Sequence, residues 1–344
     1  MSVKLAINGF GRIGRLAFRR AYDQGGFEVV AINDLVDAKT LAYLLKYDTT
    51  HRGWNKEDIS YDEAKNAIVF KGKVIPVLGK KDPKELKWGD YGVDIVLECT
   101  GRFKGKADAS VHLENGAKAV IISAPSDKET PTYVYGVNSD KYTTDQTVVS
   151  GASCTTNCLA PVCKVLQEKF GIAGGYMTTV HAYTNDQTTL DLAKAGNLRR
   201  GRAAAANIVP TSTGAAKAIN LVIPELEGRL RGGALRVPVI DGSLVDLSLT
   251  LNKKVTKEEI NAAMKEAAEG SLKGVLGYTD EEIVSSDILG STFGSIFDAT
   301  QTAVFDNPEG TQYVKVVSWY DNEYSYTCQY VRLAAHVAKV LGCE

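Results

Sequence analysis

The chain has 344 residues, 44% hydrophobic and 24% charged, which is the balance of a globular protein long enough for two domains. Its net charge of −1 offers no field to draw in nucleic acid or an anionic membrane, and no apolar run reaches the roughly 18–20 residues of a membrane helix. Six scattered cysteines make no secreted framework and the opening MSVKLAINGFGRIG lacks a signal-peptide pattern, so a reducing cytoplasm is expected.

In chain order, VKLAIN (Val3–Asn8) reads as a buried strand, and GFGRIG follows at once, with Gly9, Gly11 and Gly14 in G-x-G-x-x-G spacing. A helical pattern through Ile13, Leu16, Ala17, Arg20 and Ala21 stops at Gly25–Gly26. A second strand, FEVVAIND, ends in Asp34. Strand, glycine turn, helix and strand with a terminal acid form a dinucleotide-binding unit. Gly9 makes the tight turn, Gly11 admits the pyrophosphate and Gly14 allows close helix–strand packing. Asp34 suits the ribose hydroxyls and repels a 2′-phosphate, which favours NAD over NADP. GVDIVLECTG and KAVIISAP read as further parallel strands ending in Thr100 and Ser123, where ligands of open α/β sheets gather.

After SGASCTTNCLAP the rhythm changes. GGYMTTVHAYT is a longer strand, and GALRVPVIDGSLVDLSLTLN reads as a hairpin about Asp241–Gly242. TKEEINAAMKEAAEG opens with a Thr256–Glu259 capping box, and SIFDATQTAVFDNPEGTQYVKVVSWYD reads as two strands joined by DNPEG. The last stretch, NEYSYTCQYVRLAAHVAKVL, has helical spacing with Asn322 as its cap and returns to the first domain. The fold expected is α/β: a Rossmann-type parallel-sheet domain (1–153 plus 322–344) and an α+β domain with a mainly antiparallel sheet (154–321).

Cys154 and Cys158 lack the further ligands of a zinc site, so no metal is expected. Cys154 falls at the first turn of CLAPVCKVLQEKFG, where free N–H groups and the helix dipole favour a thiolate, whereas Cys158 lies deeper and packs. Of the four histidines, His181 closes a strand beside a polar loop and is the best base for that thiol. LRRGRAAAA, the turn TSTGAAKA and Arg236 in mid-strand supply three anion-friendly elements.

INGFGRIGR, NDL, LLKYD, GASCTTNCLAP, TTVHAYTNDQ, STGAAKA, LRVP and KVVSWYDNEYSY occur in this order, and the chain resembles, nearly end to end, the phosphorylating glyceraldehyde-3-phosphate dehydrogenases of the bacterial glycolytic type. The resemblance implies Cys154 as nucleophile and His181 as base. It implies a substrate-phosphate site of Thr184, Arg200 and Arg236, and an attacking-phosphate site of Ser153, Thr155, Thr213 and Gly214. It further implies NAD held by Gly9, Gly11, Arg12, Ile13, Gly14, Asp34, Lys81, Ser123 and Asn322. Glyceraldehyde 3-phosphate and inorganic phosphate would be the substrates of a cytoplasmic homotetramer; the alternative is the sister enzyme acting on erythrose 4-phosphate. Three departures stand out: Ile240–Asp241 after Arg-Val-Pro, Ala193 in place of a proline linked to NAD selectivity, and Lys81 in place of arginine.

Overall fold

Short strands that are apolar on both faces need helices on both sides. The computed structural model, which describes residues 2–343, meets that need in its first part. The elements are β1 (Val3–Asn8), α1 (Arg12–Gln24), β2 (Phe27–Asn33), α2 (Ala38–Lys46), β3 (Ile59–Asp62), β4 (Ala67–Phe70), β5 (Lys73–Pro76), β6 (Ile95–Glu98), α3 (Lys106–Ala109), α4 (Val111–Glu114), β7 (Ala119–Ile122) and β8 (Val148–Ser150). Five strands form one parallel sheet in the order β2-β1-β6-β7-β8. The small antiparallel sheet β3-β4-β5 was not legible in the sequence. It forms around Phe70, stacked on Trp54 at 5.0 Å and edge-on to Phe18 at 5.5 Å, contacts far apart in the chain.

The second part holds α5 (Cys154–Lys169), β9 (Ile172–Ala182), β10 (Val209–Ser212), α6 (Ala215–Val222), β11 (Leu230–Val237), β12 (Ser243–Leu251), α7 (Lys257–Glu269), β13 (Leu276–Thr279), β14 (Ser295–Asp306), β15 (Gln312–Tyr320) and α8 (Tyr324–Val340). Its seven-stranded sheet runs β10-β11-β9-β12-β15-β14-β13. The expected hairpin of β11 and β12 is not formed: β9 lies between them, parallel to β11 and antiparallel to β12. A turn signal reports a change of direction, not which strand becomes the neighbour. The β14–β15 hairpin does form, with Asp306 opposite Gln312. The capping box of α7 is present from both sides, Thr256 Oγ1 accepting from Glu259 N–H and Glu259 from Thr256 N–H.

The chain divides into two units, one comprising the residues up to Tyr133, Ser139–Ala152 and those from Tyr330 on, the other Val134–Asn138 and Ser153–Gln329. The break thus lies at Tyr330, inside α8, rather than at 322, and Ser153 goes with the second unit. The cap of α8 is Asp321, whose Oδ1 accepts the N–H groups of Glu323 and Tyr324, rather than the expected Asn322.

The two glycines of the first turn carry different burdens. A Cβ on Gly14 would lie 2.1 Å from the carbonyl oxygen of Gly9, whereas one on Gly11 would meet nothing within 4 Å. Gly14→Ala should therefore cost about 1–3 kcal/mol of folding stability through overpacking, while Gly11→Ala stays within about 0.5 kcal/mol of the parent. Urea unfolding of both variants checks this, and equal losses would contradict it.

Candidate active site

At the carboxyl ends of β1, β2 and β6 the first unit opens a cavity of about 270 Å³, lined among others by Asn8, Gly9, Gly11, Asp34, Lys81 and Thr100. Gly9 sits at φ +92°, and its missing Cβ would stand 2.7 Å from the Thr100 nitrogen, so only glycine lets the turn pass. Gly11 precedes α1 without a side-chain cap, so the first N–H groups of the helix stay open to an anion. The carboxylate of Asp34 accepts from Phe10 N–H at 2.7 Å and Val36 N–H at 3.1 Å, which holds it at the mouth of β2. Arg12 forks onto Asp48; burial raises that carboxyl, but the Arg12 guanidinium and the His51 N–H outweigh it and hold it down at about 2. Ile13 is half-buried on the same first turn, and Ser123 stands at the end of β7 with its N–H on the Glu98 carbonyl. A glycine turn with room at Gly11, open helix N–H groups and an oriented acid fit a dinucleotide such as NAD.

The second unit carries the thiol. Ala152 adopts φ +59°, a left-handed setting that costs a non-glycine residue about 1–2 kcal/mol. Ser153 then caps α5, its hydroxyl accepting Thr156 N–H at 3.1 Å, which puts half-buried Cys154 in the first turn. His181, at the end of β9 and 5% exposed, brings Nε2 to 3.5 Å from Cys154 Sγ, with the Tyr320 ring edge-on at 5.8 Å. Burial pushes the Cys154 thiol up, against the pull of Arg236 and of the Thr155 groups. The expected thiolate at the helix N-terminus is therefore not the resting state, because desolvation outweighs the helix end. Cys158 is fully buried beside Ser295 and Ser318 and pushed up to about 12, a packed and inert thiol.

Arg236 stands opposite His181 in the β11–β9 register. Its Nη1 lies 3.0 Å from His181 Nδ1, 2.9 Å from the Ala182 carbonyl and 3.1 Å from Thr184 Oγ1. A guanidinium only donates and a carbonyl only accepts. The Ala182 oxygen, 2.7 Å from Nδ1, can only accept, so Nδ1 carries the proton, and Arg236 Nη1 spends its two hydrogens on that same carbonyl and on Thr184 Oγ1 rather than on Nδ1. The lone pair of Nε2 then faces the thiol. Burial, and then the charge of Arg236, hold the imidazole down to about 3, so both members of the pair are neutral at pH 7.

Thr184 donates to Asp186, which pairs with Arg200, and Arg200 also reaches Thr211 Oγ1 at 3.4 Å. Thr184, Arg200 and Arg236 are thus gathered through Asp186, a residue the sequence reading did not single out. Asp186 occupies the Arg200 charge as a competing anion would. Among the described residues nothing bonds the buried Nε atoms of Arg200 and Arg236, so this cradle retains donors for a further anion. Thr213 Oγ1 accepts Ala215 N–H ahead of α6, and Gly214 is exposed with open space at its Cβ position. Thr155 is placed otherwise: its hydroxyl is buried against Tyr320 Oη at 2.8 Å, leaving only its backbone at the helix end.

Asn322 is buried, its Oδ1 accepting from Ser243 Oγ at 2.6 Å, and Ser243 in turn accepts Ala182 N–H at 3.0 Å. Next to it the departure at Asp241 acquires a role: Asp241 and Asp321 are both buried and face each other. Burial, then the Asp321 charge, push Asp241 up to about 9, so it is protonated at neutral pH and donates to Asp321.

A dinucleotide-fitted unit and a unit bearing a thiol–imidazole pair with a two-arginine cradle define the class: a thiol-dependent, NAD-linked dehydrogenase. Residues 3–106 match the family described as "Glyceraldehyde 3-phosphate dehydrogenase, NAD binding domain", and residues 153–322 match its "C-terminal domain". The chain is 56% identical over 338 residues to "Glyceraldehyde-3-phosphate dehydrogenase" of Clostridium acetobutylicum, covering 98% of this chain and 99% of the relative. It is 57% identical over 340 residues to "Glyceraldehyde-3-phosphate dehydrogenase 1" of Bacillus subtilis, at 98% and 99% coverage. It is also 56% identical over 339 residues to "Glyceraldehyde-3-phosphate dehydrogenase" of Geobacillus stearothermophilus, at the same coverage. The chain belongs to the glyceraldehyde-3-phosphate dehydrogenase family.

Two outcomes follow from the charges. Asp241 has a folded pKa near 9, above its unfolded value, so it costs stability progressively as pH rises from about 4 to 9. Asp241→Asn should raise stability at pH 8 by about 1 kcal/mol or more and leave it nearly unchanged at pH 4; urea unfolding at both values measures this. In Arg236→Gln, removal of the guanidinium should move the His181 titration upward from about 3, only part of the way because burial is the larger cause. Labelled-histidine NMR reads that shift, and an unmoved titration would refute the electrostatic role of Arg236.

Proposed function

We propose that the protein oxidises D-glyceraldehyde 3-phosphate to 1,3-bisphosphoglycerate with NAD and inorganic phosphate. The observation that carries this is the Cys154–His181 pair at 3.5 Å with Arg236 behind the imidazole. His181 Nε2 takes the thiol proton as Sγ bonds to the aldehyde carbon, and returns it to the oxygen to complete a thiohemiacetal. His181 then removes the hydroxyl proton as the carbon gives up its hydrogen with the electron pair. Bound NAD supplies the acceptor for that hydride. The resulting thioester is attacked by a phosphate oxygen; the carbon–sulfur bond breaks, and His181 reprotonates Cys154.

In this reading Thr184, Arg200 and Arg236 hold the substrate phosphate, which displaces Asp186 from Arg200. Ser153, Thr213, Gly214 and the first-turn N–H of Thr155 serve the attacking phosphate. A phosphate on the arginines partly cancels the charge beside His181, and the imidazole becomes a better base when substrate is in place. Gly9, Gly11, Arg12, Ile13, Gly14, Asp34, Lys81, Ser123 and Asn322 are assigned to NAD. Asp34 favours NAD over NADP even with Ala193 in the proline position. The relatives' names favour this substrate over erythrose 4-phosphate.

The same reading makes the protein a cytoplasmic homotetramer that takes no part in nucleic-acid or membrane binding. Support for assembly comes from Leu190, Leu192 and Leu198, exposed at 76%, 68% and 84%, which a second copy would cover.

NADH formation from glyceraldehyde 3-phosphate should require inorganic phosphate and run faster with NAD than with NADP. Cys154→Ser should abolish it while NAD binding and folding persist, and His181→Asn should slow it roughly 10²–10⁴-fold. Turnover independent of phosphate, a preference for erythrose 4-phosphate, or normal turnover in Cys154→Ser would overturn the proposal.

A further inference from the structure

Beneath the dinucleotide cavity lies a carboxylate that the mechanism does not use. Glu98, the last residue of β6, is 1% exposed. Its Oε2 meets Asn8 Nδ2 at 2.5 Å and His112 Nε2 at 3.1 Å; its Oε1 meets Thr100 N at 2.8 Å and also Thr100 Oγ1. A buried carboxylate is expensive unless its surroundings compensate it.

Three of these contacts have a direction set by a group that can only donate. The backbone N–H of Lys80 goes to Asn33 Oδ1 at 2.8 Å, so Asn33 Nδ2 donates to Asn8 Oδ1 at 2.8 Å, and Asn8 Nδ2 must donate to Glu98. The indole N–H of fully buried Trp88 goes to His112 Nδ1 at 3.0 Å, so the imidazole proton is on Nε2 and the ring is neutral. Arg102 N–H goes to Thr100 Oγ1 at 3.1 Å, which leaves the Thr100 hydroxyl proton free to turn to Glu98. The fourth donor is the Thr100 peptide itself. Glu98 therefore accepts from Asn8, His112 and the Thr100 peptide, and the Thr100 hydroxyl completes the set.

What these dipoles belong to gives the role. Asn8, Asn33, Lys80 and Thr100 all line the dinucleotide cavity, and they come from the ends of β1, β2 and β6 and from the loop after β5. The Thr100 peptide is also the backbone against which Gly9 closes, 2.7 Å from a would-be Cβ. We infer that Glu98 is a positioning residue for the dinucleotide site, pulling the Gly9 turn and the Thr100 turn into the register that NAD requires. This rests on the NAD reading above, yet Glu98 itself does not line the cavity.

The test is Glu98→Gln, nearly the same shape. Its amide N–H₂ must face either the Asn8 and His112 donors or the Thr100 donors, so one turn is pushed away. We expect the NAD dissociation constant, measured by calorimetry on the full-length protein, to rise at least 10-fold. The Michaelis constant for NAD should rise with it, kcat at saturating NAD should fall less than 3-fold, and the pH profile of Cys154 alkylation without NAD should not move. His112→Phe removes one of the four donors and should weaken NAD in the same sense, which serves if Glu98→Gln does not fold. Phe70→Leu, a core truncation outside the network, controls for general destabilisation. If wild-type protein fails to bind NAD, the cofactor reading falls. If wild type binds and Glu98→Gln binds within 3-fold of it, or if Phe70→Leu loses as much NAD affinity, the positioning role is overturned.

Discussion

The second unit depends on one juxtaposition: a guanidinium and an imidazole set side by side on adjacent parallel strands, with a thiol 3.5 Å away on the other side of the ring. Were Arg236 one residue out of register, its side chain would fall on the opposite face of the sheet. The pairing of β11 with β9 is thus a chemical constraint as well as a topological one. Because a carbonyl accepts from both Nη1 and Nδ1, the same arrangement selects the tautomer that leaves Nε2 as the base. Residues that touch neither group serve this geometry. Ser243 secures the Ala182 peptide from one side, and Tyr320 closes the pocket while bonding Thr155 and Thr179.

Local signals carried a large part of this into the sequence. The glycine turn, the capping box of α7, the β14–β15 hairpin and the thiol in the first turn of α5 each depend on residues within a few positions of one another. What escaped depends on distant partners. The strand that inserts between β11 and β12 lies some way upstream, and no turn residue can announce it. The cap of α8 fell to Asp321 instead of Asn322 because Asn322 is engaged by Ser243, 79 positions away. The direction of the Cys154 shift was misjudged for the same reason: the helix end is visible in sequence, whereas the desolvation that outweighs it is a property of the packed pocket.

The departures from the family pattern also divide along this line. Lys81 lines the dinucleotide cavity, where a flexible ammonium can do the work of a guanidinium with less direction. Asp241 is a different matter. A carboxyl group buried against another carboxylate must keep its proton, and it ties the turn before β12 to the start of α8. Asp241 stands two residues before Ser243, and Asp321 immediately precedes Asn322.

A nucleophile that is half-buried and neutral at rest is not a contradiction for an enzyme that handles a thioester. Water kept away from Cys154 is water that cannot hydrolyse the acyl intermediate, so the burial that raises the thiol also protects the product of its reaction. The charge needed to ionise the pair need not be permanent. Arg236 Nη1 lies 3.0 Å from the imidazole Nδ1, and its charge opposes the imidazolium while favouring the thiolate. An anion near the guanidinium would weaken its opposition to the imidazolium, which is the part the proposed substrate phosphate would play. Asp186 already sets a carboxylate against Arg200.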